Sequence, residues 1–284
     1  MIEWSETDLM MRDAVRQFID KEIRPNLDEL ETGALSPYPI VRKLFSQFGL
    51  DAVAAESVKS MLDRERGEQL GKSESASSSS SFGVLGAQAS MVAVMVSELA
   101  GVSIGLISTV AVSIGLGAAT IMSRGTLAQK ERWLPELMTL EKVAAWAITE
   151  PDSGSDAFGG MKTHVKRDGA DYILNGQKTF ITNGPDADVL VVYAKLDDGP
   201  VGDSDADRRN RPVLTFVLDA GMPGLTQGKP FKKMGMMSSP TGELFFDNVR
   251  LTPDRLLGSR NNTQTATGAT APAPISPRNA SGLR

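Results

Sequence analysis

The chain is expected to be an α+β protein. An N-terminal α-helical domain covers residues 1–145, a β-barrel-like middle domain covers 146–258, and a disordered tail covers 259–284. Three observations predict this. Apolar residues recur at helical spacing through the first half. From Met161 the apolar period falls to two, with Asp168-Gly169, Asn175-Gly176 and Asn183-Gly184 as turn signals. After Gly258 the chain turns to Thr, Ala and Pro, with no acid and no aromatic residue.

The first helix starts at Ser5, which precedes Glu6, Thr7 and Asp8 as an N-cap with acids in the first turn. Leu9, Ala14, Val15, Phe18, Ile19 and Ile23 form its apolar stripe, and Pro25 is expected to stop it. A second helix fits residues 38–48, with Ile40, Val41, Leu44, Phe45 and Phe48 inward and Gly49 as its C-cap. Residues 51–90 carry no readable period. Within them Ser77 to Ser81 are five consecutive serines, read as a flexible surface loop. Residues 99–122 hold no charge and are long enough for a membrane span. Their glycines, serines and threonines, and the lack of a basic flanking loop, fit a pair of closely packed helices instead. Gly125-Thr126 opens another helix through Gln129, Lys130, Trp133 and Leu134, which turns at Pro135.

In the second half, residues 162–166, 172–174, 177–182, 189–194, 213–218 and 243–249 read as strands. A charged loop covers 197–211. Many short strands with such punctuation imply a small barrel or sandwich.

Composition narrows the function classes. Hydrophobic residues make up 41% of the 284, enough for a sizeable core. A net charge of −5 argues against a nucleic-acid backbone as partner. With no cysteine, disulfides, thiolate catalysis and cysteine metal sites are excluded, which fits a reducing cytoplasm. The start of the chain lacks the basic region of a signal peptide. No metal-ligand spacing and no Walker-type phosphate loop is present. His164, the only histidine, reads as a surface strand residue.

The chemistry concentrates in Trp146-Ala147-Ile148-Thr149-Glu150-Pro151-Asp152-Ser153-Gly154-Ser155-Asp156. Its hydroxyls and amides form a dense run of donors, and Gly154 permits close approach of a ligand. From the residues alone the same run also reads as a polar loop with a Ser/Asp turn. Downstream stands Tyr172-Ile173-Leu174-Asn175-Gly176-Gln177-Lys178-Thr179-Phe180-Ile181-Thr182-Asn183-Gly184.

Together these two segments, with the approach Gly125-Thr126 … Gln129-Lys130 … Trp133-Leu134-Pro135, resemble the acyl-CoA dehydrogenase family. The resemblance covers residues 1–258 and is strongest over 123–258. It implies FAD as cofactor and an acyl-CoA thioester as substrate. The family's reaction is α,β-desaturation, with proton abstraction at the α carbon and hydride transfer to flavin N5. Electrons would pass to an electron-transferring flavoprotein, and a homo-oligomer is implied. Carried over by resemblance, Trp146, Ala147, Ile148, Thr149, Glu150, Pro151, Asp152, Ser153, Gly154 and Ser155 line the flavin. Phe180, Ile181 and Thr182 form its second contact, and Ser155 also touches the acyl-CoA. Phe180 stands where the family commonly has tryptophan. Lys229, Lys232 and Lys233 are candidates for CoA phosphates or a solvated turn.

In the family the catalytic glutamate lies on C-terminal helices, and residues 259–284 do not resemble these. The expectation is therefore no catalytic residue within this chain and little activity from it alone. The alternative is an inactive remnant or assembly module that retains the fold.

Overall fold

The computed structural model describes residues 4–70, 89–198 and 209–258. The serine run, most of the charged loop and the expected tail lie outside the described residues.

Helix α1 (Glu6–Phe18) begins at Ser5 with a reciprocal cap. The Asp8 amide donates to Ser5 Oγ at 3.2 Å, and the Ser5 amide donates to Asp8 Oδ2 at 3.0 Å. Pro25 does not end the helical path. The hydrogen bonding widens to a π-turn at Ile19–Ile23, tightens to 3₁₀ at Arg24–Asn26, and resumes as α2 (Leu27–Thr32). Proline removes one donor, and the changed turns absorb that loss. Helix α3 (Tyr38–Gln47) ends before Gly49, whose φ of 64° is left-handed. The segment without a readable period begins as a regular helix, α4 (Leu50–Gln69). Only Val58 and Leu62 are buried on it. So thin an apolar stripe hides the helical period from the sequence.

Helix α5 (Ala89–Ala100) follows, then α6 (Ile104–Val110), a π-segment (Ala111–Ala118) and α7 (Ala119–Arg124). The continuous stretch Ile104–Arg124 is long and apolar enough to cross a membrane by length and composition, with 39% of its apolar window buried in the fold. Its small residues pack against the sheet. A Cβ at Gly117 would lie 2.5 Å from the Ala144 Cβ, so only glycine allows this approach. Ser113 Oγ accepts from the Ala144 amide at 2.9 Å.

Helix α8 (Leu127–Met138) runs on past Pro135, where a turn was expected, because Leu134 and Leu137 are fully buried. Thr126 and Gln129 form its capping box, and Gln129 Nε2 also donates to the carbonyls of Asp254 and Leu256, each at 2.8 Å. Gln129→Ala is expected to remove the reciprocal half of the capping box and orphan those carbonyls, costing about 2 kcal/mol. A urea midpoint unchanged from the parent would contradict this.

Among the described residues seven strands form one curled mixed sheet: β1 (Ala144–Ala147), β2 (His164–Asp168), β3 (Asp171–Thr182), β4 (Val189–Leu196), β5 (Val213–Asp219), β6 (Leu225–Gln227) and β7 (Thr241–Leu251). β1 and then β2 run parallel to β4 along successive stretches of one edge, and β5 takes the other edge antiparallel. β2 continues to β3, then β7 and β6, all antiparallel. Alternate β4 residues face two cores. Leu190, Val192 and Ala194 meet the sheet's own interior, while Val189, Val191 and Tyr193 meet α4, α7 and α8. A third core lies among α1, α3, α5 and α6.

The Asn175-Gly176 turn is a correction. β3 passes through it unbroken, and the dipeptide is a register shift against β7. β1 and β6, of 4 and 3 residues, are strands the sequence reading did not assign.

Candidate functional site

The donor-rich run occupies a break in the sheet. β1 leaves the β4 edge at Ala147, and β2 takes over that edge at His164. The intervening chain must therefore leave the sheet and return. It folds first into a tight turn. The Glu150 amide donates to the Ser153 carbonyl at 3.0 Å, and the Ser153 amide to the Glu150 carbonyl at 3.1 Å. Ser153 Oγ donates to the Asp156 carbonyl at 2.7 Å. This places Pro151, Asp152, Gly154 and Ser155 at an exposed apex, with Glu150 and Ser153 buried beneath. A Cβ added at Gly154 would meet nothing within 4 Å, so the space over the apex is open.

The two motif segments meet. The Thr179 amide donates to the Thr149 carbonyl at 2.9 Å. Beneath this contact Lys178 Nζ donates to the Ile148 carbonyl at 3.1 Å and to Glu150 Oε1 at 2.8 Å. Both ionic side chains are buried, Lys178 at 0% and Glu150 at 4% exposure. Burial raises the Glu150 carboxyl, but the Lys178 charge and hydrogen bond, with Thr163 and the Lys162 amide, outweigh it and hold the group below its ordinary value. Burial also pulls Lys178 down to about 8, against the opposing pull of Glu150.

Immediately after Lys178 the pairing with β7 slips, and Phe180 takes a φ of 56°. A left-handed phenylalanine is strained by roughly 1–3 kcal/mol, and such outliers gather at ligand sites. The bulge turns Phe180 outward, 69% exposed, with its ring edge-on to Phe231 at 5.6 Å. Thr182 is half-buried and pairs with Thr241. Next along, Asn183 donates through Nδ2 to the carbonyls of Thr109 and Ala144, both at 3.0 Å. It thereby joins α6, β1 and the end of β3.

The thirteen candidate positions divide by what their side chains touch. Thr149, Pro151, Asp152, Gly154, Ser155, Phe180 and Thr182 retain exposure. Trp146 and Ile148 are half-buried against the helical layer, and Trp146 Nε1 donates to Tyr193 Oη at 3.2 Å. Ala147 and Ile181 point into the sheet interior, and the Glu150 and Ser153 side chains bond within the fold, so these four present backbone alone. A cleft of about 500 Å³ adjoins the turn, walled by Pro151, Asp152, Lys162, Gln177 and Phe245.

Lys178 and Asn183 were not among the expected site residues, although both stand inside the quoted motif. A lysine inside an expected strand was the available signal. Lys233, a candidate for phosphate, donates inward to the Ser239 carbonyl and to Thr241 Oγ1, whereas Lys229 and Lys232 are exposed. His164 is half-buried at the start of β2, with Nδ1 at 3.1 Å from the Lys162 carbonyl. Among the described residues no group of three metal-ligating side chains occurs.

Comparison with known proteins places this geometry. Residues 145–249 match the acyl-CoA dehydrogenase middle domain, and 68–141 match the N-terminal domain of that family. The mitochondrial isovaleryl-CoA dehydrogenase of Pongo abelii is 43% identical over 141 residues, covering 50% of this chain and 32% of that protein. The 3-(aryl)acrylate reductase of Clostridium sporogenes is 32% identical, covering 91% of this chain and 60% of its own length. A glutaryl-CoA dehydrogenase from Mycobacterium smegmatis, solved in complex with FADH2, superposes with a TM-score of 0.67 at 28% identity, covering 90% of this chain and 56% of that one. The chain thus spans at most about three fifths of these relatives.

Proposed function

The chain belongs to the acyl-CoA dehydrogenase family, and on that premise we propose that residues 146–155 and 180–182 form the flavin wall of an FAD-dependent acyl-CoA dehydrogenase. The observation that carries this reading is the Thr149–Thr179 hydrogen bond at 2.9 Å, which draws the two segments side by side. The residues present fit such a group. The space over Gly154 is open, and on the other segment an exposed aromatic ring, Phe180, stands on a strained bulge.

When bound, FAD supplies the acceptor for the hydride that leaves the β carbon of an acyl-CoA thioester as its α proton is removed. The protein's own part is to hold and polarise. Phe180 offers a ring face for a planar heterocycle, with less area than tryptophan and no N–H donor. Thr182, half-buried, would offer its hydroxyl where negative charge grows on reduction. Thr149, half-buried, would offer its hydroxyl to the pyrimidine edge, and Ser155, exposed at the apex, would contact both cofactor and acyl-CoA. No described residue is assigned as the base. An acyl-CoA substrate, an electron-transferring flavoprotein as acceptor and a homo-oligomeric state are proposed on the same footing.

Titration of the purified chain with FAD tests the reading. Saturable binding with a sharpened visible flavin band is expected, followed by bleaching on adding acyl-CoA if the chain also carries out the chemistry. Absence of any flavin binding would leave only a fold-retaining module.

A further inference from the structure

We propose that the buried Glu150–Lys178 pair is a positioning device, which sets the spacing of the two walls that receive the flavin. The assignment rests on the flavin-binding reading above. Glu150 lies within one wall segment, and Lys178 stands two residues before Phe180, the first residue of the other. Glu150 follows Thr149 and Lys178 precedes Thr179, and those two are hydrogen-bonded to each other. The pair also reaches every other strand end at the break. Glu150 Oε2 accepts from the Lys162 amide at 2.6 Å, and Oε1 accepts from the Thr163 amide at 3.0 Å. Lys178 Nζ bonds the first residue after β1, Ile148, through its carbonyl at 3.1 Å. One carboxylate and one ammonium therefore tie the end of β1, the start of β2 and the bulge of β3.

The two charges add little net stability as a pair, since burying them costs about what their attraction returns. What an apolar pair lacks is direction. Leucine and methionine would let the turn slide along β3, whereas four aimed hydrogen bonds hold its register. The bulge that turns Phe180 outward starts at Lys178 itself, so the direction of that ring depends on the same anchor. Neither side chain reaches solvent or the open space over Gly154, so both act through their neighbours.

The test is the double variant Glu150→Gln/Lys178→Met, which removes both charges together and leaves neither one buried alone. Three quantities are measured: the melting temperature without flavin, the FAD dissociation constant and the visible circular dichroism of bound FAD. The expected result is a melting temperature within a few degrees of the parent, FAD binding weakened by on the order of tenfold or more, and a flattened flavin dichroism. Loss of an outer-shell partner weakens a bound metal by a similar factor. Parental affinity and dichroism in the variant would overturn the proposal. So would a collapse of the melting temperature, which would make the pair a plain element of the fold. A parent chain that itself fails to bind FAD would overturn the flavin reading first, and is distinguished by requiring no variant.

Discussion

Lys178→Met alone is expected to destabilise the protein by about 3–5 kcal/mol, because it strands the Glu150 carboxylate without its counter-charge. In a fold of this size that corresponds to a fall in melting temperature of roughly 10 °C. The comparison with the double variant is the informative part. If the loss comes from an uncompensated buried charge, neutralising Glu150 as well restores most of it. If it came from lost packing, the second substitution would add to the damage. Lys162, whose pair with Asp152 is solvent-exposed on both sides at 75% and 70%, is the control, and Lys162→Met is expected to leave the melting temperature alone.

Acid sharpens the same prediction. In the parent, Glu150 titrates below its ordinary value of 4.5, because Lys178 and the amides outweigh its burial. That contribution is fully present above the unfolded value and is lost as pH falls through the lower folded one. In Lys178→Met the main opposing charge is gone and burial raises the carboxyl instead. The variant should then regain stability as pH falls from neutral through the raised folded value. The gap between parent and variant therefore narrows toward pH 4. Urea midpoints between pH 3 and 7 measure it, and a gap constant across that range would sink the account.

Gly176→Ala is expected to cost about 3 kcal/mol, and Gly154→Ala nothing in stability. Gly176 has a φ of 142°, and an added Cβ would lie 2.6 Å from Thr163 Oγ1 and 2.7 Å from Thr163 Cα. Thr163 cannot yield. It is fully buried, its amide donates to Glu150, and its carbonyl accepts from the Lys195 amide at 2.9 Å. A side chain at 176 therefore pushes on the same anchor that holds the candidate site. Gly154 has no neighbour within 4 Å, so alanine there leaves the fold intact and enters the open space proposed for the flavin. Thermal melts and FAD titrations of both variants separate a glycine the fold requires from one a ligand requires. Equal melting temperatures for the two would contradict the assignment.

Local chemistry carried much of this structure. The Ser5 cap, the Gly49 terminus, the Asp168-Gly169 hairpin and the doubly apolar run of β4 each depend on residues close in sequence. The two motifs were likewise readable as segments, since hydroxyls, glycines and turn dipeptides announce themselves. α4 was not, because too few of its residues are buried to mark a helical stripe. β1 was missed for a related reason: of its four residues three are alanine, and Trp146 alone favours a strand.

What the amino-acid order determined by itself was the switch from helical to strand periodicity, the helix caps and the pair of polar segments that identify the family. The tertiary structure decided the rest. It turned Asn175-Gly176 from a turn into a bulge, seated the apolar stretch Ile104–Arg124 on a strand through Gly117, and brought Lys178 against Glu150. Turn preference and hydropathy are properties of a few neighbouring residues. Whether a glycine faces a threonine thirteen positions back, or a lysine meets a carboxylate twenty-eight positions away, depends on how the sheet closes around the break between β1 and β2.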